Sequence, residues 1–323
     1  MSLSLVPTEL LQAILVFALD DNPCPCKILC VNRRFFELGQ SLLHGRLHFY
    51  SINQLSLFAA GSAPLACAPR SVAIVLAGGS GDFEVFRHLM GVLKRCQHSR
   101  RIASGEVKES PEAHSFSDSE SAQVSLDSLS LRLHSHSSNP HLGYIYEALS
   151  LANPKTFVWR GPDPEHHFST AIVPTATYHL ICAISTWTVI EHITLTNMSF
   201  PSDELGVNTP FSRDAPLLPP LPSLRTLYIG QATLLPPSSV AAMLARPGQD
   251  ALECVRLVDT YRHSIWGNRI RLRDVEDAVG QLRTIGAEQR AEALRRVRRV
   301  VSCEKKTERT QGGDNGDVVG ILT

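Results

Sequence analysis

The sequence predicts an α/β protein in which a small helical unit precedes a long region of short parallel strands and helices. Two patterns carry this prediction. Apolar residues with helical spacing open the chain, over residues 7–19 and 27–38. Behind them a strand phrase, L-x-x-L-x-L, recurs with helix-like segments between its copies. The 323 residues are enough for both regions and for an ample core.

The N-terminal helical unit is assigned to residues 1–50. Pro7 suits the first turn of a helix, where its missing N–H costs nothing. The apolar residues on one face of that helix are Leu10, Leu11, Ile14, Leu15 and Ala18. A second helix is predicted over residues 27–38 with Gly39 as its C-cap, and a short helix-to-strand piece over residues 42–49 follows it.

The region assigned to residues 51–302 contains the repeated strand phrase. Full copies are Leu126/Leu129/Leu131, Ile190/Ile193/Leu195, Leu224/Leu227/Ile229 and Leu252/Val255/Leu257, and weaker relatives lie at residues 71–76 and 155–160. Helices are predicted over residues 142–153, 176–187 and 237–246. One residue of each of five successive strands marks the period: Leu129, Phe157, Ile193, Leu227 and Val255, at steps of 28 to 36 residues.

This period is typical of an irregular leucine-rich solenoid built of short parallel strands and helices. An ordinary α/β domain with a doubly wound sheet also alternates strands and helices, and it is the alternative. The asparagine that usually follows the strand of a leucine-rich repeat is out of register. Asn197 lies one place early, and Ala232 or Thr260 stands where it would fall in other repeats.

Three segments interrupt or end the repeats. Residues 98–125 are polar and serine-rich, which predicts a disordered insertion. Residues 204–222 contain five prolines and are expected to form a long loop. Residues 303–323 are expected to be a flexible C-terminal tail.

Composition excludes several classes of protein. Lys and Arg number 31, as do Asp and Glu, so no net field attracts nucleic acid or an anionic membrane. The first helix lacks the features of a secretory signal, and residues 168–190 contain too many polar groups for a membrane span. The eight cysteines are then expected to be reduced thiols, in the cytoplasm, the nucleus or both. Cys24, Cys26 and Cys30 lack the partners of a zinc site, and no metal is expected.

No active site is visible in the sequence, so the protein is not expected to be an enzyme. The glycine-rich stretch at residues 74–83 could cradle a phosphate, but it matches no nucleotide-binding motif, and a sharp turn capped by Asp82 is the favoured interpretation. A nucleotide-dependent α/β enzyme that uses this loop is the remote alternative. The basic run of Arg295, Arg296, Arg298 and Arg299, followed by Lys305 and Lys306, is interleaved with glutamates. It indicates a solvated helix-to-strand face rather than a nucleic-acid contact.

The first 60 residues resemble an F-box. The stretch "LVPTELLQAIL" resembles the Leu-Pro pair and Glu-Leu-Leu helix that open this motif, with Val6 in place of the usual leucine. The stretch "CVNRRFFELG", residues 30–39, resembles the Val-Cys/Asn-Arg-x-Phe phrase of its second helix. The next residues are similar to the segment that leads into the repeats of many fungal F-box proteins. The hinge with Pro23 and Pro25 and the absence of the motif's tryptophan depart from the pattern.

The resemblance implies a non-catalytic substrate receptor of a cullin–RING ubiquitin ligase of the SCF type. The F-box would dock on the ligase adaptor, and the repeat region would bind a protein substrate, with no cofactor. The implied adaptor-binding residues are Leu5, Pro7, Leu10, Leu11, Ile14, Leu15, Val31 and Phe35. A leucine-rich interaction scaffold, in which the helical unit is only an N-terminal cap, is the alternative from another class.

Overall fold

The computed structural model describes residues 6–20, 25–76, 82–103, 123–163, 169–201, 215–307 and 321–322. Ten helices and eight strands lie within these ranges. The helices are α1 (Thr8–Asp20), α2 (Pro25–Leu29), α3 (Arg33–Gly45), α4 (Ile52–Ala60), α5 (Val85–Ala103), α6 (Tyr144–Leu149), α7 (Pro174–Ile184), α8 (Pro237–Ala245), α9 (Leu272–Gln281) and α10 (Ala287–Val300). The strands are β1 (Arg46–Phe49), β2 (Ser71–Val75), β3 (Val124–Arg132), β4 (Ala152–Arg160), β5 (His192–Thr196), β6 (Thr226–Ala232), β7 (Cys254–Thr260) and β8 (Val301–Glu304).

All eight strands form one parallel sheet in which they stand in chain order. The five residues that mark the sequence period are direct partners across this sheet: Leu129 with Phe157, Phe157 with Ile193, Ile193 with Leu227, and Leu227 with Val255. All six strand phrases of the sequence are strands. The order of the described strands never reverses, whereas a doubly wound sheet reverses its order at a switch point.

One face of the sheet is covered by helices and the other is open. The marker residues are buried and join residues of α4 to α10 in one continuous core. Alternate residues, such as Ser130, Val158, Thr194 and Tyr228, point to the opposite face and stay partly exposed. Parallel sheets usually have both faces covered. The open face is therefore a surface that a binding partner could use.

A left-handed residue stands at the same register position in three neighbouring repeats. Asn197, Gln231 and Asp259 have φ of 60°, 48° and 50°. They are neighbours because Thr196 pairs with Gly230 and Gly230 with Val258. Asn197 Nδ2 also donates a hydrogen bond to Gln231 Oε1 at 2.5 Å. Gln231 and Asp259 are the counterparts of Asn197, so Asn197 stands one place before the positions of Ala232 and Thr260, which pair with each other, as the sequence predicted.

The head, which is the N-terminal unit formed by α1 to α3, has a small core of its own. Leu11, Leu15 and Leu19 are buried there, against partly buried residues of α2 and α3. The single helix predicted over residues 27–38 was wrong, because α2 ends at Leu29 and α3 starts afresh after Asn32. Gly39 is not a C-cap. It is buried within α3, where a Cβ atom would collide with Leu29, so it allows α2 to approach closely.

Three predicted boundaries also need correction. The sheet begins inside residues 1–50, since β1 pairs with β2. Residues 98–103 complete α5 and residues 124–125 begin β3, so both ends of the predicted insertion are ordered elements. Cys303 and Glu304 of the predicted tail lie in β8, and Leu322 N donates to Cys303 O at 2.8 Å. The rest of the insertion and tail, and residues 202–214 of the proline-rich loop, lie outside the described residues.

Candidate functional site

The first candidate surface is a stripe of exposed apolar side chains on α1. Leu10, Ile14 and Phe17 are 58%, 52% and 74% exposed. They stand at i, i+4 and i+7, so they share one face of the helix. The adjacent stripe is the buried one that carries Leu11 and Leu15. Helix α1 is therefore apolar on two adjoining faces. One face is buried in the core of the head, and the other faces solvent.

The eight residues implied to bind the adaptor differ in their exposure, so they do not form one surface. Pro7, Leu10, Ile14 and Val31 are exposed. Leu11 and Leu15 are 1% and 0% exposed, so they hold α1 in the head and offer no surface to a partner. Phe35 is half-buried against the same core. Leu5 lies outside the described residues. Helical spacing alone could not separate the two stripes, and the expectation missed Phe17 and Phe36, which are exposed apolar residues of the head.

The stretch "VNRRFF", residues 31–36, forms the start of α3 and its contacts with α1. Asn32 caps α3, because its Oδ1 accepts a hydrogen bond from Phe35 N at 2.9 Å. Arg34 Nη2 donates to Thr8 Oγ1 at 2.8 Å and so connects α3 to the start of α1. Phe35 points into the small core. Asn32 therefore fixes the start of α3, and Arg34 and Phe35 hold α1 against it.

The head is joined to the sheet through the C-terminal end of α3. His44 Nδ1 accepts a hydrogen bond from Ala66 N at 2.8 Å, and Cys67 Sγ donates to Ser41 O at 3.1 Å. Burial, aided by the nearby charge of Arg95, lowers the pKa of His44. A neutral imidazole is the form that can accept this bond. This contact between α3 and Ala66 therefore uses the neutral form of His44, which the lowered pKa favours at neutral pH.

The second candidate surface is a pocket of 560 Å³ on the open face of the sheet. Its lining runs from β3 to β8 and beyond the end of β8. The charged residues in it are Arg132, Arg160, Asp163, Arg256, Asp259, Glu304 and Lys306. Thr194, Thr196 and Tyr228 supply hydroxyl groups. The sequence did not predict this pocket, although each strand phrase has alternate positions that must face away from the core.

An ion pair and an aromatic ring form the β6–β8 side of this pocket. Arg256 donates to both carboxylate oxygens of Glu304, from Nε at 2.9 Å and Nη2 at 2.7 Å. These bonds hold the pKa of Glu304 below its usual value. The Arg256 guanidinium also lies 5.5 Å from the centre of the Tyr228 ring. Burial raises the pKa of Tyr228, so its hydroxyl is protonated at neutral pH and can donate a hydrogen bond.

A buried carboxylate fixes the far wall of the pocket. Asp259 accepts hydrogen bonds from Arg269 Nε at 2.7 Å and from Thr307 N at 2.9 Å. Arg269 Nη2 donates to Thr307 O at 2.7 Å. The side chains of Asp259 and Arg269 are both 1% exposed. This pair clamps the segment that follows β8 and places Lys306 and Thr307 at the pocket.

Groups that could perform chemistry are sparse in the described parts of the chain. They contain no cluster of three His, Cys, Asp or Glu residues that could hold a metal ion. His134 Nε2 lies 3.8 Å from Asp163 Oδ2, whereas His166 and His167 fall outside these parts. Residues 77–81 of the glycine-rich stretch are also outside them, and Asp82 Oδ1 accepts from Glu84 N at 2.8 Å before α5. Cys24 is not described, while Cys26 and Cys30 are free and exposed.

The arginines of the basic run lie on α10, whereas Lys306 lines the pocket. Arg295 Nε donates to Glu292 at 3.0 Å, and Arg298 Nε donates to Glu276 on α9 at 2.7 Å. Arg296 is 7% exposed. The acidic partners and the burial of Arg296 reduce the positive surface that the run could offer to phosphate groups.

Among the helices of the described ranges, none is both long and apolar enough to cross a membrane. Comparisons of the chain with protein-family models, with curated proteins and with solved structures each found no match.

Proposed function

We propose that the protein is a non-catalytic substrate receptor of an SCF-type cullin–RING ubiquitin ligase. Its head, α1 to α3, would act as the F-box and dock on the ligase adaptor, in the cytoplasm or the nucleus. The observation that carries the proposal is the exposed stripe of Leu10, Ile14 and Phe17. Solvent-exposed apolar stripes of this kind mark interaction surfaces, and an apolar helix face in a partner's groove is a common recognition mode.

The rest of the chain would be an irregular leucine-rich solenoid that presents its open face to a protein substrate. Two features support this interpretation. The strands stand in chain order, as they do when each repeat contacts only its neighbours. The marker residues of successive repeats are also paired in register, so the sequence period and the structural period agree. A sheet open on one face then offers a continuous surface for binding.

A leucine-rich scaffold without a ligase role is the second candidate. The observation in its favour is the position of the head, because α3 ends at Gly45 and β1 begins at Arg46 on the edge of the sheet. A helical cap at the first strand of a solenoid would occupy this place. In that case the head shields an edge strand and binds no adaptor.

Capture of the ligase adaptor distinguishes the two functions. We expect the purified full chain to retain the adaptor, and the double variant Leu10→Asp/Ile14→Asp to retain at least about tenfold less, because anchor residues dominate the affinity of an interface. Leu57→Asp is the matched control, since Leu57 is 66% exposed but lies on α4 outside the head. Equal capture by both variants, or no capture by the unmodified chain, would refute the ligase role.

A further inference from the structure

Two arginines stand side by side at one end of the pocket on the open face. Arg132 ends β3 and Arg160 ends β4, and the two residues are direct partners across the sheet. Both side chains are exposed. Like charges directly opposite each other destabilise a pair of strands. An anion bound between the two guanidinium groups would remove this repulsion.

Neither arginine has a carboxylate of its own. Arg132 Nη2 donates to the carbonyl oxygen of Pro162 at 3.1 Å, which leaves its charge unbalanced. No hydrogen bond or ion pair joins the Arg160 guanidinium to any residue of the described ranges. The carboxylates of the pocket have other contacts. Glu304 is paired with Arg256 and Asp259 with Arg269, and Asp163 lies 3.8 Å from His134.

The strands beside the two arginines supply further polar groups. Thr194 on β5 lies opposite Val158 of β4 and Tyr228 of β6. The hydroxyl groups of Thr194 and Tyr228 both line the pocket. A hydroxyl can donate to a carboxylate or accept from a backbone N–H. The floor next to Arg160 can therefore bind both an acidic group and the peptide group that carries it.

We propose that Arg132 and Arg160 form an oxyanion site that recognises a carboxylate on an acidic, extended peptide segment of a protein partner. The other side of the pocket shows how a carboxylate lies on this sheet, because Glu304 takes two hydrogen bonds from Arg256. Arginine favours this two-pronged contact with carboxylates. If the protein is a ligase receptor, as proposed above, the segment would belong to its substrate.

The shape of the pocket favours a peptide over a compact ligand. Its lining extends from Arg132 in β3 to Glu304 in β8, which is five strand intervals. Strands lie about 4.8 Å apart, so this distance is about 24 Å. An extended chain rises about 3.3 Å per residue, and roughly seven residues would therefore cross the pocket. One acidic residue of such a segment would reach the arginine pair.

The test measures binding of a short fluorescent peptide of alternating Glu and Gly residues to the full chain by fluorescence anisotropy. We expect Arg160→Gln to weaken binding about tenfold, because a charge-assisted contact is lost, and Arg132→Gln to weaken it similarly. Arg273→Gln, at an exposed position of α9 away from the pocket, removes the same charge and should change affinity less than about twofold. A matching peptide of Gln and Gly should bind far more weakly.

Three results would overturn the site: no binding of the acidic peptide, equal binding of the glutamine peptide, or an equal loss in Arg160→Gln and Arg273→Gln. Inorganic phosphate is the second probe. If it displaces the peptide more than sodium chloride at equal ionic strength, the site belongs to phosphate groups, and the assignment to a carboxylate is refuted. Adaptor capture by Arg160→Gln should match that of the unmodified chain. Adaptor capture therefore tests the ligase role, and peptide anisotropy tests the arginine site, so either proposal can fail without the other.

Discussion

At the scale of single residues, Asp259 combines an unusual backbone conformation with a buried charge. Its φ is 50°, in the left-handed region, which aspartate tolerates better than most residues do. Its carboxylate is almost completely buried with Arg269 and binds the backbone N–H of Thr307. One residue of β7 thereby neutralises a buried guanidinium and holds the segment after β8.

The substitution Asp259→Ala should lower the free energy of unfolding by about 3–5 kcal/mol, because it leaves the Arg269 charge buried without its partner. Chemical denaturation followed by circular dichroism measures this loss. Asp259→Asn is the control, since it retains an acceptor oxygen and a side chain that suits the left-handed region, and it should cost less. A loss below about 1 kcal/mol for Asp259→Ala would show that water or another group satisfies Arg269.

At the scale of elements, β8 is connected to the sheet by a short ladder and one cross-strand ion pair. Its backbone pairs with β7 over four residues, from Val301 to Glu304. The pair Arg256–Glu304 adds a contact on the open face, where the two side chains are 48% and 28% exposed. On the edge of β8 that does not pair with β7, Ile321 forms an antiparallel bridge with Glu304, and the side chain of Leu322 is buried in the main core. The strand is therefore held along both of its edges.

The ion pair makes a small and pH-dependent contribution to stability. Glu304→Gln should lower the free energy of unfolding at pH 7 by no more than about 1 kcal/mol, since solvent screens a partly exposed pair. The folded state lowers the pKa of Glu304 below the ordinary value of 4.5. The contribution is therefore complete above pH 4.5 and is lost as the pH falls through the lowered pKa.

Urea denaturation of both proteins between pH 7 and pH 3 measures this contribution. The stability difference between the unmodified chain and Glu304→Gln should shrink on the acid side. Glu253→Gln serves as the control, because Glu253 lies 4.0 Å from Arg225 in a longer and more exposed pair. A difference that grows as the pH falls would contradict the expected sign.

At the scale of the whole molecule, the described residues form two separate cores. The main core includes residues from Leu47 to Leu322, and the head core is built on Leu11, Leu15 and Leu19. A small core provides less buried area, and regions with few buried apolar contacts open more readily. The head should therefore be the less stable part until a partner covers its exposed stripe.

Leu15→Ala should destabilise the head by about 2–5 kcal/mol, because it leaves a cavity in the smaller core. Hydrogen exchange read by mass spectrometry should show faster exchange over residues 8–45 and unchanged exchange in β4 to β7. Ile193→Ala, in the main core, is the matched control and should accelerate exchange in the strands instead. Equal acceleration everywhere in Leu15→Ala would show that the two cores unfold as one.

The strands were predictable because each repeat contains an alternation of apolar and polar residues that indicates a strand with one buried face. The alternation of apolar and polar residues at positions such as Leu129 and Leu131 requires one buried face, and the repeat distance then places equivalent residues side by side. Helix boundaries in the head were less predictable. The stop after Leu29 and the new start at Asn32 depend on a cap and on close packing at Gly39, and neither has a periodic pattern.

The candidate surfaces were predictable only in part. The sequence showed that α1 is rich in leucine and isoleucine, but it could not show which stripe the head buries, because both have helical spacing. The pocket was missed altogether. Arg132 and Arg160 are 28 residues apart, as are Tyr228 and Arg256, and only strand pairing makes each of these pairs direct neighbours.

The amino-acid sequence alone determined the alternation of strands and helices, the positions of six strands and the inward-facing residues of those strands. These properties follow from local apolar periodicity, which is written in each segment independently. Tertiary structure decided which apolar stripe of α1 faces solvent and which charges meet in the pocket. It also made β8 and Leu322 part of the fold. Those outcomes depend on contacts between residues distant in the chain, and no local pattern specifies them.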